Sequence, residues 1–358
     1  MQKGLSQLTI DVLTPCLLFS QVARSIDLDT LTRLWPLVVS FFFFMLMGGI
    51  LGVIGGKILR FSCSQINLVV NGIIFNNIQS VPIGLIQSMA ATNAIQFLFE
   101  NDRDTPEKTV ARGISYALLN ALFANILRFS LGTWLLQKGH TDEVLVNVEE
   151  ASQTNHTINS IANENTPLMR GQETLLSSSI YKWTENIYFS IKEFMNFPLL
   201  SAILAIMIGT IPQLKQLFFE SQLFYQLITR PIEYIGNIAI PMTLLILGSQ
   251  MNNLSTSQNR EVLLPISFIM LCRLIVMPII GIILVIATRS WYFEDPMLWF
   301  VLMVSASGPT AINLLNIAQM VGAFEQEISA LLVYSYLALI PMLSVYVMIF
   351  LFVINWIK

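Results

Sequence analysis

The sequence predicts an all-α polytopic membrane protein of nine spans, in which two halves repeat one another and each half holds one broken helix. Three observations carry this. First, 54% of the 358 residues are hydrophobic and only 11% are charged, where a soluble domain carries about a quarter. Second, several apolar runs reach the ~20 residues that a helix needs to cross a bilayer. Third, two of those runs are polar and proline-containing at their centres. They are residues 74–89, IFNNIQSVPIGLIQSM, and residues 304–316, VSASGPTAINLLN. Proline lacks an N–H and clashes with the turn before it, so a helix cannot pass through unchanged. At membrane depth, broken backbone survives only when it is buried in protein or lines a watery cavity. Two discontinuous helices in corresponding positions point to the central site of a secondary transporter.

The elements follow in order. Residues 5–23 form the first apolar segment, with Asp11 and Pro15 inside it, and 24–33 a short charged loop. Residues 34–58 are a clean span. Its Gly48, Gly52 and Gly56 fall on one face, which permits close helix approach, although membrane helices are Gly-rich in general. The broken segment 66–99 comes next, then a charged loop, 100–112, and a span over 113–136 with Arg128 well inside it. Residues 1–138 are thus the first transmembrane repeat. Residues 139–178 are rich in Asn, Thr, Ser and Glu and read as a flexible hydrophilic linker. Ile180, Trp183, Ile187, Ile191 and Phe194 then recur at spacings of three and four, which predicts an amphipathic interfacial helix over 179–195. The second repeat, 196–358, holds a span at 197–211, a partly polar stretch to Arg230, and spans at 232–251 with Pro241 and 262–288 with Arg273. The second broken segment, 297–321, and a last span, 328–357, complete it.

The interval from Pro15 to Pro82 nearly equals that from Pro241 to Pro309, as internal repeats in transporters would give. The second repeat begins far ahead of Pro241, whereas little chain precedes Pro15. By this comparison the first repeat lacks its first helix, leaving nine spans of ten. Lysines and arginines are nearly balanced between the two sides, so they set no orientation.

Composition also limits the chemistry. Cys16, Cys63 and Cys272 are scattered without CxxC spacing and read as small apolar residues. The N-terminal stretch has no small-residue cleavage site and does not read as a signal peptide. Both histidines, His140 and His156, lie in the linker, which removes a His-based zinc site from the membrane. Asp11 is the only acid well inside an apolar run, whereas an aspartyl protease needs two. A serine nucleophile would lack an intramembrane base. No enzyme activity, cofactor, metal or nucleic-acid partner is expected; the lipid bilayer is the surrounding partner.

Five stretches resemble one family. LSQLTIDVLTPCLLFSQVA resembles the Pro-x-Leu-x-Phe-Ser helix of the auxin efflux carrier superfamily, the PIN-formed and PIN-likes proteins. NNIQSVPIGLIQS resembles its first crossover, and SGPTAINLLNIAQMVG its second. CRLIVMPIIGI resembles its Arg-to-Pro element, and ILRFSLGTWLL the fungal PIN-likes branch. The resemblance implies two inverted repeats of five helices, with two crossed broken helices at the centre of a transport domain held by a scaffold domain. It implies carriage of small organic anions, auxin-like weak acids, by elevator-type alternating access. Homodimers are common in the superfamily. The short linker and the fungal-like motifs favour the endoplasmic reticulum membrane over the plasma membrane. The missing first helix is a departure from the family pattern.

The substrate-binding candidates flank the two breaks: Asn77, Ser80, Pro82, Pro309, Thr310 and Asn313. Asn77 and Asn313 carry carboxamides that donate and accept, and half-helix N-termini favour an anion. The same asparagines could instead satisfy only the broken backbone. Ser80 and Thr310 could cap half-helices or touch ligand. Asp11 is the candidate for coupling to a proton or cation. Arg128 and Arg273 balance an anion or, the preferred reading, hold the structure together. The alternatives to a transporter are a non-transporting regulatory or receptor membrane protein, or a channel.

Overall fold

The computed structural model describes residues 2–25, 34–100, 104–139, 141, 197–251, 260–292 and 294–358. The predicted linker and interfacial helix fall outside them, apart from residues 139 and 141. Among the described residues the chain is almost entirely helical and has no β-strand. Helix α1 covers 2–25 and carries a π turn at Thr9–Leu13. There the Thr14 amide reaches back to Thr9 O, just ahead of Pro15. Then come α2 (Trp35–Ile58), α3 (Cys63–Ile74), α4 (Ser80–Ala90) and α5 (Pro106–Gly139). The second half holds α6 (Phe197–Thr210), α7 (Pro212–Glu220), α8 (222–237) and α9 (Ala239–Met251). It continues with α10 (Val262–Trp291), α11 (Pro296–Ser307), α12 (Asn313–Val321) and α13 (Glu325–Ile357). Helices α2, α5, α10 and α13 are each long and apolar enough to cross a membrane. The pair α6 and α7 meets the same test together, bent by 102° at Ile211.

Local sequence sets several of these boundaries. A capping box opens α3: the Ser62 side chain accepts from Gln65 N at 3.2 Å, and the Gln65 side chain accepts from Ser62 N at 3.1 Å. Thr105 caps α5 by accepting from Lys108 N, with Pro106 at the first helical position and Glu107 in the first turn. These residues correct the expectation of a loop over 100–112: Thr-Pro-Glu is a helix start, and α5 begins seven residues before Gly113. Asp295 caps α11 by accepting from Met297 N at 2.9 Å.

Helix α1 lies against α6, α8 and α9 and also against α5, while α2–α5 pack among themselves and with α10–α13, and α9 meets α12 and α13. Gly48, Gly52 and Gly56 face α3, as the spacing suggested. A Cβ on Gly52 would lie 2.8 Å from the Val70 side chain, and one on Gly56 2.8 Å from that of Ile66. Every residue of α11 is buried, so this helix is apolar all round because protein sheathes it on all sides. Phe300 and Val301 sit in the largest core cluster with Ile86 of α4 and Phe350 of α13.

An ion network fixes one end of α11 to α5. Arg112 Nε lies 3.0 Å from Asp295 Oδ2, and Arg112 Nη2 lies 2.8 Å from Asp104 Oδ2. The Tyr116 hydroxyl donates to Asp295 Oδ2 at 2.7 Å. Burial pushes the Asp295 carboxyl up, and the hydrogen bond from Tyr116 and the charge of Arg112 recover only part of that shift. Burial also acts on Asp104, but the Glu100 amide and Arg112 outweigh it and hold that carboxyl below its ordinary value. Asp295→Ala removes a cap, a tyrosine partner and an ion-pair partner at once. It is expected to cost about 2–4 kcal/mol, read as a lowered thermal midpoint in detergent. Asp295→Asn keeps the cap and should lose less.

Candidate functional site

The two breaks meet. Phe75 to Gln79 separate α3 from α4, and Gly308 to Ile312 separate α11 from α12. Where they cross, Asn76 and Thr310 form an isolated antiparallel bridge. Its two hydrogen bonds run from Asn77 N to Pro309 O at 2.7 Å and from Ala311 N to Phe75 O at 3.0 Å. Gly308 is required by this approach, because a Cβ there would lie 2.7 Å from Asn77 O.

Each helix that stops leaves carbonyls without intrahelical donors, and side chains take them up. Thr310 Oγ1 donates to Gly72 O at 3.0 Å, and Asn76 Nδ2 donates to Ser305 O. Arg273 donates from Nη1 to Ile73 O at 3.1 Å, from Nε to Gly308 O at 3.0 Å, and from Nη2 to that same oxygen. Arg128 donates from Nη2 to Asn76 O at 3.0 Å and from Nη1 to Asn125 Oδ1 at 2.9 Å. Both arginines therefore place positive charge where helix C-termini place negative charge. Both also sit in π turns, Arg128–Gly132 and Cys272–Val276, a local widening that recurs at functional sites.

A cleft lies beside the bridge, lined by the starts of α4 and α12 (Gln79, Ser80, Ile312 and Asn313) together with Asn77, Ile78 and Ala311. Leu17 of α1 and Ala121, Asn125 and Arg128 of α5 close it. Its volume of ≈ 30 Å³ holds about two waters. Two helix N-termini converge on it, which is the arrangement that attracts an anion.

The predicted residues divide here. Asn77, Ser80 and Asn313 line the cleft, whereas Pro82, Pro309 and Thr310 do not. Asn77 caps α4, since its Oδ1 accepts from Ser80 N at 2.9 Å, while its Nδ2 donates to Tyr336 Oη at 2.6 Å. Pro82 lies in the first turn of α4 rather than at the break, a place where a missing N–H costs no helical bond. Thr310 is fully buried and serves Gly72 O. Asp11 is half-buried in the π turn of α1 and outside the lining. Three polar neighbours were not among the predicted site residues: Arg128, Asn125 and Tyr336. An arginine deep in an apolar span was the signal for the first. Asn125, one turn earlier, was readable from Arg128, and nothing local marks Tyr336.

The chain is similar to known membrane transport proteins over nearly its whole length. A family model described as membrane transport protein matches residues 1–347. The chain is 26% identical to an uncharacterized transporter of Schizosaccharomyces pombe, over 95% of this chain and 86% of that protein. It is 27% identical to an uncharacterized transporter of Saccharomyces cerevisiae, over 99% and 90%. To protein PIN-LIKES 2 of Arabidopsis thaliana it is 23% identical, over 97% and 86%.

Gly308→Ala drives a methyl group into the bridge. It is expected to cost about 2–4 kcal/mol through overpacking and lost hydrogen bonds, measured as thermal unfolding in detergent. Gly84→Ala in α4, where a Cβ meets nothing within 4 Å, is the control and should leave the midpoint within a degree or two.

Proposed function

From the premise that this chain belongs to the membrane transport protein family, that of the auxin efflux carriers, we propose that it carries small organic anions, auxin-like weak acids, held at the crossover of its two broken helices. It is an integral multi-pass membrane transporter and not an enzyme. The observation that carries the proposal is the bridge between the two breaks, with the α4 and α12 N-termini, Asn77 and Asn313 gathered around one cleft. Partial positive charge from the two helix ends suits a carboxylate. The apolar walls at Leu17, Ile78 and Ile312 suit a compact hydrocarbon body.

Transport of this kind needs the cleft to open to each side in turn. The bridge binds both broken helices into one body with α2, α5, α10 and α13, so we assign the movement to that body sliding against α1 and α6–α9 in elevator fashion. This reading takes the nine spans as two inverted repeats and admits a homodimer through the scaffold helices. It places the protein in the endoplasmic reticulum membrane, as the fungal-like motifs suggest.

The test is flux of radiolabelled indole-3-acetate and benzoate in proteoliposomes. The unaltered chain should carry one or both. Asn77→Ala and Asn313→Ala should each lower the rate by at least about tenfold while the protein stays monodisperse. Full-rate flux in both variants would overturn the site. Absence of flux in the unaltered chain, across several organic acids and pH gradients, would turn the assignment to a regulatory membrane protein.

A further inference from the structure

We propose that Arg128 is the charge anchor of the crossover cleft, its unused Nε–H receiving the carboxylate of the substrate, so that the site selects monoanionic carboxylates over their neutral amides. The inference rests on the transporter reading above and adds to it the group that senses charge.

The two deeply buried arginines differ in one respect. Arg273 is 2% exposed, and all three of its nitrogens donate to backbone carbonyls. Its donors are committed to the fold. Arg128 is 5% exposed and uses only its two terminal nitrogens. Its Nε is buried with no hydrogen-bond partner, on a residue that lines the cleft. A guanidinium keeps its charge in a protein. A buried charge is expected to be paired, above all at membrane depth. Yet no carboxylate among the described residues pairs with Arg128: the ion pairs there join Arg24 to Glu233 and Arg112 to Glu100, Asp104 and Asp295. The contacts of Arg128 to Asn125 and to Asn76 O are dipolar and leave its unit charge uncompensated.

An anion in the cleft supplies the missing charge. One carboxylate oxygen accepts from Nε, and the other faces the half-helix N-termini at Ser80 and Asn313. A neutral amide of the same shape offers no net charge and brings its own N–H groups against a donor. A dianion would carry a second charge that nothing in the lining balances. The class that fits is a small monocarboxylate with an apolar body.

Binding to the purified full chain in detergent tests this, with benzoate against benzamide and indole-3-acetate against indole-3-acetamide as titrants. The unaltered protein should prefer each acid by about a hundredfold. Arg128→Gln should lose that preference by weakening the acid and not the amide, and Arg128→Lys should restore part of it. Because Arg128 also holds Asn76 O, a second variant leaves the guanidinium in place. Asn125→Asp is isosteric and sits 2.9 Å from Nη1, so it furnishes an internal anion and should abolish the preference in a folded protein. Retained preference in Asn125→Asp, or in folded Arg128→Gln, overturns the anchor. Asn77→Ala and Asn313→Ala separate the two proposals. If they weaken acid and amide alike while the Arg128 and Asn125 variants keep the preference, the site stands and the anchor falls. If they change neither ligand, or the unaltered chain binds no acid, the site falls and the anchor with it.

Discussion

A helix that stops inside an apolar bundle leaves amides and carbonyls with no water to bond, and two helices stop here at the same depth. The structure meets this constraint by turning each break toward the other. Phe75 O and Pro309 O accept from Ala311 N and Asn77 N across the bridge, and Thr310, Asn76, Arg128 and Arg273 serve the remaining carbonyls. Each orphaned group costs several kcal/mol in hydrocarbon, so the break is stable only as a complete set. The residues that line the site are therefore inseparable from those that hold it. Asn77 illustrates this by capping α4 with one end of its carboxamide and bonding Tyr336 with the other.

The same constraint explains why the charge at the crossover is basic, with no carboxylate paired to it among the described residues. Half-helix C-termini need donors, and arginine supplies several in a fixed fork. Placing two of them at the breaks satisfies carbonyls but imports two full charges. Arg112, by contrast, lies at a helix end among three carboxylates, where burial is partial and compensation is local. At the periphery the Arg112 charge meets carboxylates, whereas at the centre Arg128 and Arg273 meet only dipolar partners among the described residues.

Much of this was legible in the sequence and some was not, for definable reasons. The apolar runs and the two polar interruptions gave the helical class and the positions of both crossovers, because burial and backbone breakage leave a compositional trace. The glycine face of α2 was legible because its spacing matches the helix turn, and it meets Ile66, Val70 and Ile73 as that spacing implied. Pro82 suggested the break, whereas the chain leaves the helix at Phe75 and Pro82 lies in the first turn of the next one. Thr105-Pro106-Glu107 was a readable helix start hidden in a charged stretch. The pairing of Asn76 with Thr310, and of Asn77 with Tyr336, depends on partners from the other half of the chain, and no local pattern encodes it. Nor can sequence say whether an intramembrane arginine reaches outward to a headgroup or inward to a carbonyl.

The bridge also orders events during synthesis. Phe75 and Asn77 leave the ribosome long before Pro309 and Ala311 do, and chains grow at about 5–20 residues per second. Until the second half arrives, the first break has neither of its bridge partners, nor Thr310 for Gly72 O, nor Arg273 for Ile73 O. The first half therefore cannot reach its final packing by itself. It must wait in the membrane with its broken segment sheltered by water, lipid headgroups or the insertion machinery, and the closing of one short antiparallel contact marks the moment at which the two halves become a single carrier.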